Sequence, residues 1–126
     1  EKISSTEVVR RIMNSEESKK IIEILTKAVN EGTGNNAVIP GYKIAGKTGT
    51  AQKSIDGKYS KKYFVSSFAS IFPSDNPEYV CIVSVDSPEY HKHWGNLTAA
   101  PIVQEIFKGI IENDFLFAEE DFSENK

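Results

Sequence analysis

Cysteine, methionine and tryptophan each occur once in the 126 residues. The lone Cys81 excludes an internal disulfide and any zinc site built on several cysteines, although by itself it does not identify the compartment. No apolar run approaches the ~20 residues needed to span a bilayer, and no charged-then-apolar leader opens the chain. Long runs of one charge are also missing. Fifteen basic residues stand against eighteen acidic ones, a formal net charge of −3, with no dense basic tract to attract a polyanion, so nucleic acid is not an expected partner. Internal repeats and low-complexity tracts are absent. The chain opens on Glu1 rather than Met, and the expectation is a piece of a longer protein, for which the missing leader and span say little about the parent. What remains is enough for one modest core, a single domain or one lobe of a larger one.

The pattern along the chain is helix, strand, strand, strand, helix. Residues 1–13 end in a short mixed run, Glu7 to Met13, read as a strand or an extended lead-in. Asn14 followed by Glu17 has the spacing of a capping box, and Ile21, Ile22, Leu25, Ala28 and Val29 recur at helical period, so a helix is predicted over 15–31. Gly32 to Asn36 is dense in turn formers, and Ile39-Pro40-Gly41 adds a second break. A polar strand is predicted over 42–52 and a solvated connection over 53–62. Two apolar strands follow, 63–72 and 79–85, joined by a Pro-bounded turn and therefore antiparallel neighbours. Both present apolar residues on alternate faces, which implies cover on both sides, whereas the chain supplies only two long helices. The polar loop 87–96 leads to a second helix, 98–113, capped by Thr98 with Pro101 in its first turn. The domain is thus expected over 1–113 and an acidic, flexible tail over 114–126. The fold class is α+β, with three antiparallel strands and flanking helices.

The stretch that carries chemistry is Ala45-Gly46-Lys47-Thr48-Gly49-Thr50-Ala51, a composition poorly suited to filling a core. Two motifs overlap on it. Gly41-x-x-x-x-Gly46-Lys47-Thr48 formally matches a phosphate-binding loop, which would imply a nucleotide hydrolase. Such a loop requires a buried strand before it and a helix starting at its lysine, and the sequence offers neither. The alternative is the Lys-Thr-Gly triad of serine acyl-transferases that react with penicillin. Read as a strand, the stretch sends the Thr48 and Thr50 hydroxyls off one face, where they can converge on a carboxylate. Lys47 adds positive charge. Gly49 leaves room for an extended peptide to pair with the strand. A bland alternative is an edge strand guarded by a lysine and loosened by glycines.

The likeness extends beyond the triad. Val8-Val9-Arg10-Arg11-Ile12, Glu31-Gly32-Thr33-Gly34, Pro40-Gly41-Tyr42, Ala45 to Gln52, Ser67 to Pro73, Asp75-Asn76-Pro77 and Ala99-Ala100-Pro101-Ile102-Val103 together resemble the C-terminal part of the transpeptidase domain of class B penicillin-binding proteins. The resemblance implies a peptidoglycan D,D-transpeptidase that cross-links stem peptides by serine acyl transfer, is acylated by β-lactams, and belongs to a parent anchored in the bacterial inner membrane with this domain on the extracytoplasmic face. It implies that Lys47 assists proton movement and attracts the anion, that Lys47, Thr48, Gly49 and Thr50 bind the D-Ala-D-Ala donor, and that the Thr50 N–H is an oxyanion donor. The sequence departs from the family order, because neither Ser-x-x-Lys nor Ser-x-Asn precedes Lys47. Ser74-Asp75-Asn76 and Ser123-Glu124-Asn125-Lys126 match these motifs only after the triad, and are read as a turn and part of the tail. The chain is therefore expected to be inactive alone, to need the missing N-terminal part of the same protein, and to self-associate through an open sheet edge. A catalytically dead module that binds peptide carboxylates is the alternative. No cofactor is implied: His91 and His93 lack the carboxylates or cysteines that would complete a metal site.

Overall fold

A computed structural model describes the backbone of residues 8–123 and the side chains of residues 8–113. Asn14 starts the first helix, α1 (Ser15–Asn30), as its spacing predicts: its side chain accepts the Glu17 N–H at 2.9 Å while Glu17 accepts the Asn14 N–H at 2.8 Å. Two orphan donors of the first turn are thereby satisfied. A short 3-10 turn (Asn35–Ala37) precedes the strands β1 (Ala45–Ile55), β2 (Lys58–Phe72) and β3 (Tyr79–Asp86). They form one antiparallel sheet in the order β1-β2-β3. The second helix, α2, spans Gly95–Ser123.

The polar strand begins at Ala45 rather than 42, because Gly41 takes a positive φ of 86° and Tyr42 turns inward against Phe72 instead of pairing. The connection predicted over 53–62 is a hairpin. Asp56 and Gly57 both have positive φ, 50° and 74°, the combination that matches strand twist in a two-residue turn, and Ile55 pairs with Lys58 across it. Lys53 reaches over the middle strand to Asp86 at 2.6 Å, and this ammonium, with the Ser87 hydroxyl, holds the Asp86 carboxyl below its ordinary pKa.

One hydrophobic cluster joins Val29 of α1, Ile39, Ile44, Phe68 and Phe72 to Ala99, Ala100, Val103 and Phe107 of α2. Phe72 and Phe107 stack with centroids 4.6 Å apart. Register places Val83 opposite Phe68 and Cys81 opposite Ser70, so this face of the sheet is the covered one. The other face is not covered as the sequence pattern implies: Val80 and Ile82, paired with Ile71 and Ala69, are 75% and 70% exposed. On α2, Val103 and Phe107 are buried but Ile102 and Ile106 remain exposed, so only part of the predicted apolar stripe lies on the sheet.

The helix also begins earlier than predicted. Thr98 is not its cap; its hydroxyl donates back to the Trp94 carbonyl, and Pro101 falls inside the helix. An earlier start is possible because Gly95, lacking Cβ, abuts the backbone of Gly49 and Ser67. At its other end the helical backbone runs on to Ser123, past the predicted end at 113, since no glycine or proline follows Gly109 to stop it. Residues 1–7 and 124–126, which include the start of the lead-in and most of the Ser123-to-Lys126 match, lie outside the described residues. Ser74 is buried, hydrogen-bonded to the Thr26 hydroxyl at 2.9 Å, with its N–H on the Lys43 carbonyl, while Asp75 pairs with Lys43. This match is turn structure.

Candidate active site

The site is organised along β1, whose outer edge carries no further strand among the described residues. Register puts Gly46, Thr48 and Thr50 opposite Ser70, Phe68 and Ser66, on the covered face, and Lys47 opposite Ala69 on the other. Alternation along the strand explains why the two threonines emerge together. The covered face does not close over them. A cleft of about 480 Å³ opens there, lined by Thr33, Lys47, Thr48, Thr50 and the residues Trp94 to Leu97.

Three of the four predicted site residues therefore meet in one concavity. Lys47 folds along the strand edge, and its ammonium donates to the Thr48 carbonyl at 2.8 Å, exposed to solvent and without an acidic partner among the described residues. Thr48 Oγ1 lies 3.2 Å from Thr33 Oγ1, and Thr50 Oγ1 accepts a long hydrogen bond, 3.4 Å, from the Gly95 N–H. Gly49 has a structural reason of its own: a Cβ there would come within 2.5 Å of Ser67 Oγ, the cross-strand neighbour. Gly46 likewise makes room for the Phe68 ring.

The far wall comes from the end of the loop before α2 and from that helix's first turn. His93 stacks on Phe64 with centroids 4.1 Å apart and packs beside Tyr90 and Trp94; its carbonyl accepts the buried Ser66 hydroxyl. These contacts hold Trp94, 57% exposed, at the cleft mouth. His93 thus serves packing, whereas His91 is exposed and meets only the Tyr90 ring edge-on; no cluster of metal-ligating side chains occurs among the described residues. Cys81 is turned toward the core, where burial pushes its thiol pKa up and away from reactivity. Sequence reasoning missed Thr33, Gly95, Asn96 and Leu97. Their separations from Thr48, fifteen residues on one side and some fifty on the other, leave no local pattern, and the only hint is that both segments are rich in small polar residues without periodicity.

A protein with this arrangement has known relatives. The family model described as the penicillin binding protein transpeptidase domain matches residues 2–108. The FtsI homolog of Chlorokybus atmophyticus, named a peptidoglycan D,D-transpeptidase, is 38% identical over 111 residues, 87% of this chain. Stage V sporulation protein D of Bacillus subtilis is 43% identical over 79% of the chain. This chain spans only 16% and 15% of the length of those two relatives. Among solved structures, the transpeptidase domain of penicillin-binding protein 3 from Burkholderia pseudomallei superposes with a TM-score of 0.74 at 31% identity, covering 82% of this chain and 32% of that one. Penicillin-binding protein 3 from Mycobacterium tuberculosis, solved in complex with ampicillin, gives 0.73 at 29% identity, covering 82% of this chain and 25% of that one. Since both the family model and these relatives extend over most of its residues, the chain belongs to the penicillin-binding protein transpeptidase domain family and corresponds to the C-terminal part of that domain.

Proposed function

We propose that this chain forms the substrate-binding lobe of a peptidoglycan D,D-transpeptidase and works with a segment that supplies the nucleophilic serine. The observation that carries the reading is the convergence of Lys47, Thr48 and Thr50 on one cleft beside an unpaired strand edge. In this reading the donor stem peptide lies along β1 as an added strand. Its terminal carboxylate accepts hydrogen bonds from the Thr48 and Thr50 hydroxyls, and Lys47 supplies the positive field. The serine oxygen attacks the carbonyl carbon of the penultimate D-alanine, and the Thr50 N–H stabilises the oxyanion that develops. The C–N bond then breaks, D-alanine leaves with a proton, and an amine of a second stem takes the acyl group from the serine. β-Lactams enter by the same route and remain on the serine.

Neither Ser-x-x-Lys nor Ser-x-Asn precedes Lys47, so the chain by itself is inactive in this reading and its partner is the N-terminal part of the same protein. The parent is anchored in the bacterial inner membrane with this domain on the extracytoplasmic face. No described helix is long and apolar enough to cross a membrane. Where that segment is missing, the open sheet leads copies of the chain to associate.

Fluorescent penicillin tests the reading directly. The chain alone should show no covalent label, and the chain joined to its upstream segment should be labelled at a serine outside residues 1–126. Labelling of the isolated chain at Ser74 or Ser123 would overturn the assignment. A parent lacking any upstream Ser-x-x-Lys would favour a non-catalytic module that binds peptide carboxylates.

A further inference from the structure

The cleft contains a hydroxyl that the Lys-Thr-Gly strand does not supply. Thr33 sits between Gly32 and Gly34 in the turn after α1, and either it or Thr48 donates in the 3.2 Å contact between their hydroxyls. Each hydroxyl has one proton and two lone pairs. If Thr48 donates to Thr33, its proton is spent within the protein. If Thr33 donates to Thr48, the Thr48 proton is left for something in the cleft. A carboxylate only accepts hydrogen bonds, so one proton of the pair must turn to it; for a carboxylate held by Thr48 and Thr50, as in the proposed function, that is the second arrangement, in which the two bonds in series polarise one another.

Thr33 is held where this choice matters. A Cβ on Gly32 would approach the Ala28 carbonyl oxygen to 2.8 Å, and one on Gly34 would come to 3.1 Å of Val29 and 3.2 Å of the Phe68 ring, so this turn lies directly on the core. The Gly34 N–H donates to the Ala28 carbonyl at 3.1 Å. Just beyond, three hydrogen bonds clamp the 3-10 turn to the start of α2. The Asn36 N–H donates to Asn96 Oδ1 at 3.1 Å, Asn36 Nδ2 to the Asn96 carbonyl at 2.8 Å, and Asn96 Nδ2 to Asn35 Oδ1 at 2.8 Å. The clamp fixes the wall bearing Thr33 against the wall formed by Gly95, Asn96 and Leu97, and so sets the width of the cleft.

We propose that Thr33 is a positioning residue of the carboxylate site: it donates to Thr48 Oγ1, aims the Thr48 proton at the ligand, and is held at that reach by the Asn35–Asn36–Asn96 clamp. This rests on Thr48 being a carboxylate ligand, so its test separates the two ideas. The intact chain is titrated with N-acetyl-D-alanyl-D-alanine and with the corresponding C-terminal amide, following backbone amide NMR signals of residues 45–51. The acid binds and the amide does not. Thr33→Val weakens binding ~5–10-fold, the loss of one hydrogen bond in a charge-assisted pair, and Thr33→Ser stays close to wild type. In a Thr48→Val background, Thr33→Val costs nothing further, because the effect passes through Thr48. If Thr48→Val weakens binding while Thr33→Val binds like wild type, this inference falls and the carboxylate reading stands. An equal cost of Thr33→Val in both backgrounds also overturns the relay. Failure of the wild type to distinguish acid from amide removes both. Should Thr33→Val not fold, Thr33→Ala replaces it, with the same loss expected and the same outcomes decisive.

Discussion

At the scale of the residue, the motif strand is shaped as much by its glycines as by its polar side chains. Gly46 has no turn to serve; its φ is not in the left-handed region, and what it provides is space. A Cβ there would stand 2.6 Å and 2.8 Å from two Phe68 ring atoms and 3.0 Å from the Ala69 carbonyl oxygen. Phe68 is completely buried in the cluster that joins the sheet to α2, so it has no room to retreat. Gly46→Ala should therefore destabilise the chain by about 1–3 kcal/mol, the usual range for overpacking a filled core, measured by chemical denaturation; a change below ~0.5 kcal/mol would show that the ring yields. The sequence displays this glycine only as part of a permissive motif, because the partner that needs its absent side chain lies on the next strand, twenty-two residues on. Thr48 and Thr50, in contrast, were legible, since a two-residue spacing alone sends both to one face. Thr33 was not, because nothing local links a turn residue after one helix to a strand hydroxyl fifteen positions later.

Elements repeat the lesson with the hairpin. The alternation that reveals a strand depends on one buried face, and residues 53–62 have none: Lys53, Lys58, Lys61 and Lys62 mask the pattern, and both strands run out past the core. Only Asp56-Gly57 signalled the turn, and that signal is strong only when apolar strands flank it. The same reasoning explains α2, whose apolar periodicity fades near 113 although no breaker stands there to end the helix. Because the hairpin tip is exposed, it should open without the rest of the sheet. Gly57 has φ 74°, where an alanine side chain is strained by about 1 kcal/mol or more. Gly57→Ala should then speed amide hydrogen exchange around Ser54 and Tyr59 by roughly fivefold, the equivalent of that strain, and leave exchange at Phe68 unchanged. Equal acceleration at both places would mean that the hairpin and core open as one unit.

For the whole molecule, the imbalance is between one filled face and one open face. The sequence indicated this shortage, as its last two strands are apolar on alternate faces while two helices cannot cover both. It did not indicate that the shortage would fall on a single face, because strand periodicity does not say which side a helix takes. Val80 and Ile82 are left 75% and 70% exposed, next to Ala69 and Ile71 in register, and neither outer edge of the sheet is paired among the described residues. In the proposed function the remainder of the transpeptidase covers this surface. Without it, two copies can satisfy the same need, and a net charge of only −3 offers little repulsion against their meeting. The weight-average mass from light scattering should therefore rise with concentration for this chain. Ile82→Lys should suppress that rise with little change in unfolding midpoint, since a side chain this exposed contributes little to the fold and a lysine resists face-to-face burial. Joining the chain to its upstream segment should abolish association without any substitution. A wild-type chain that stays monomeric at every concentration would mean that the open face is tolerated in water; association undiminished by Ile82→Lys would move the contact to the strand edges or to the exposed Ile102 and Ile106 of α2.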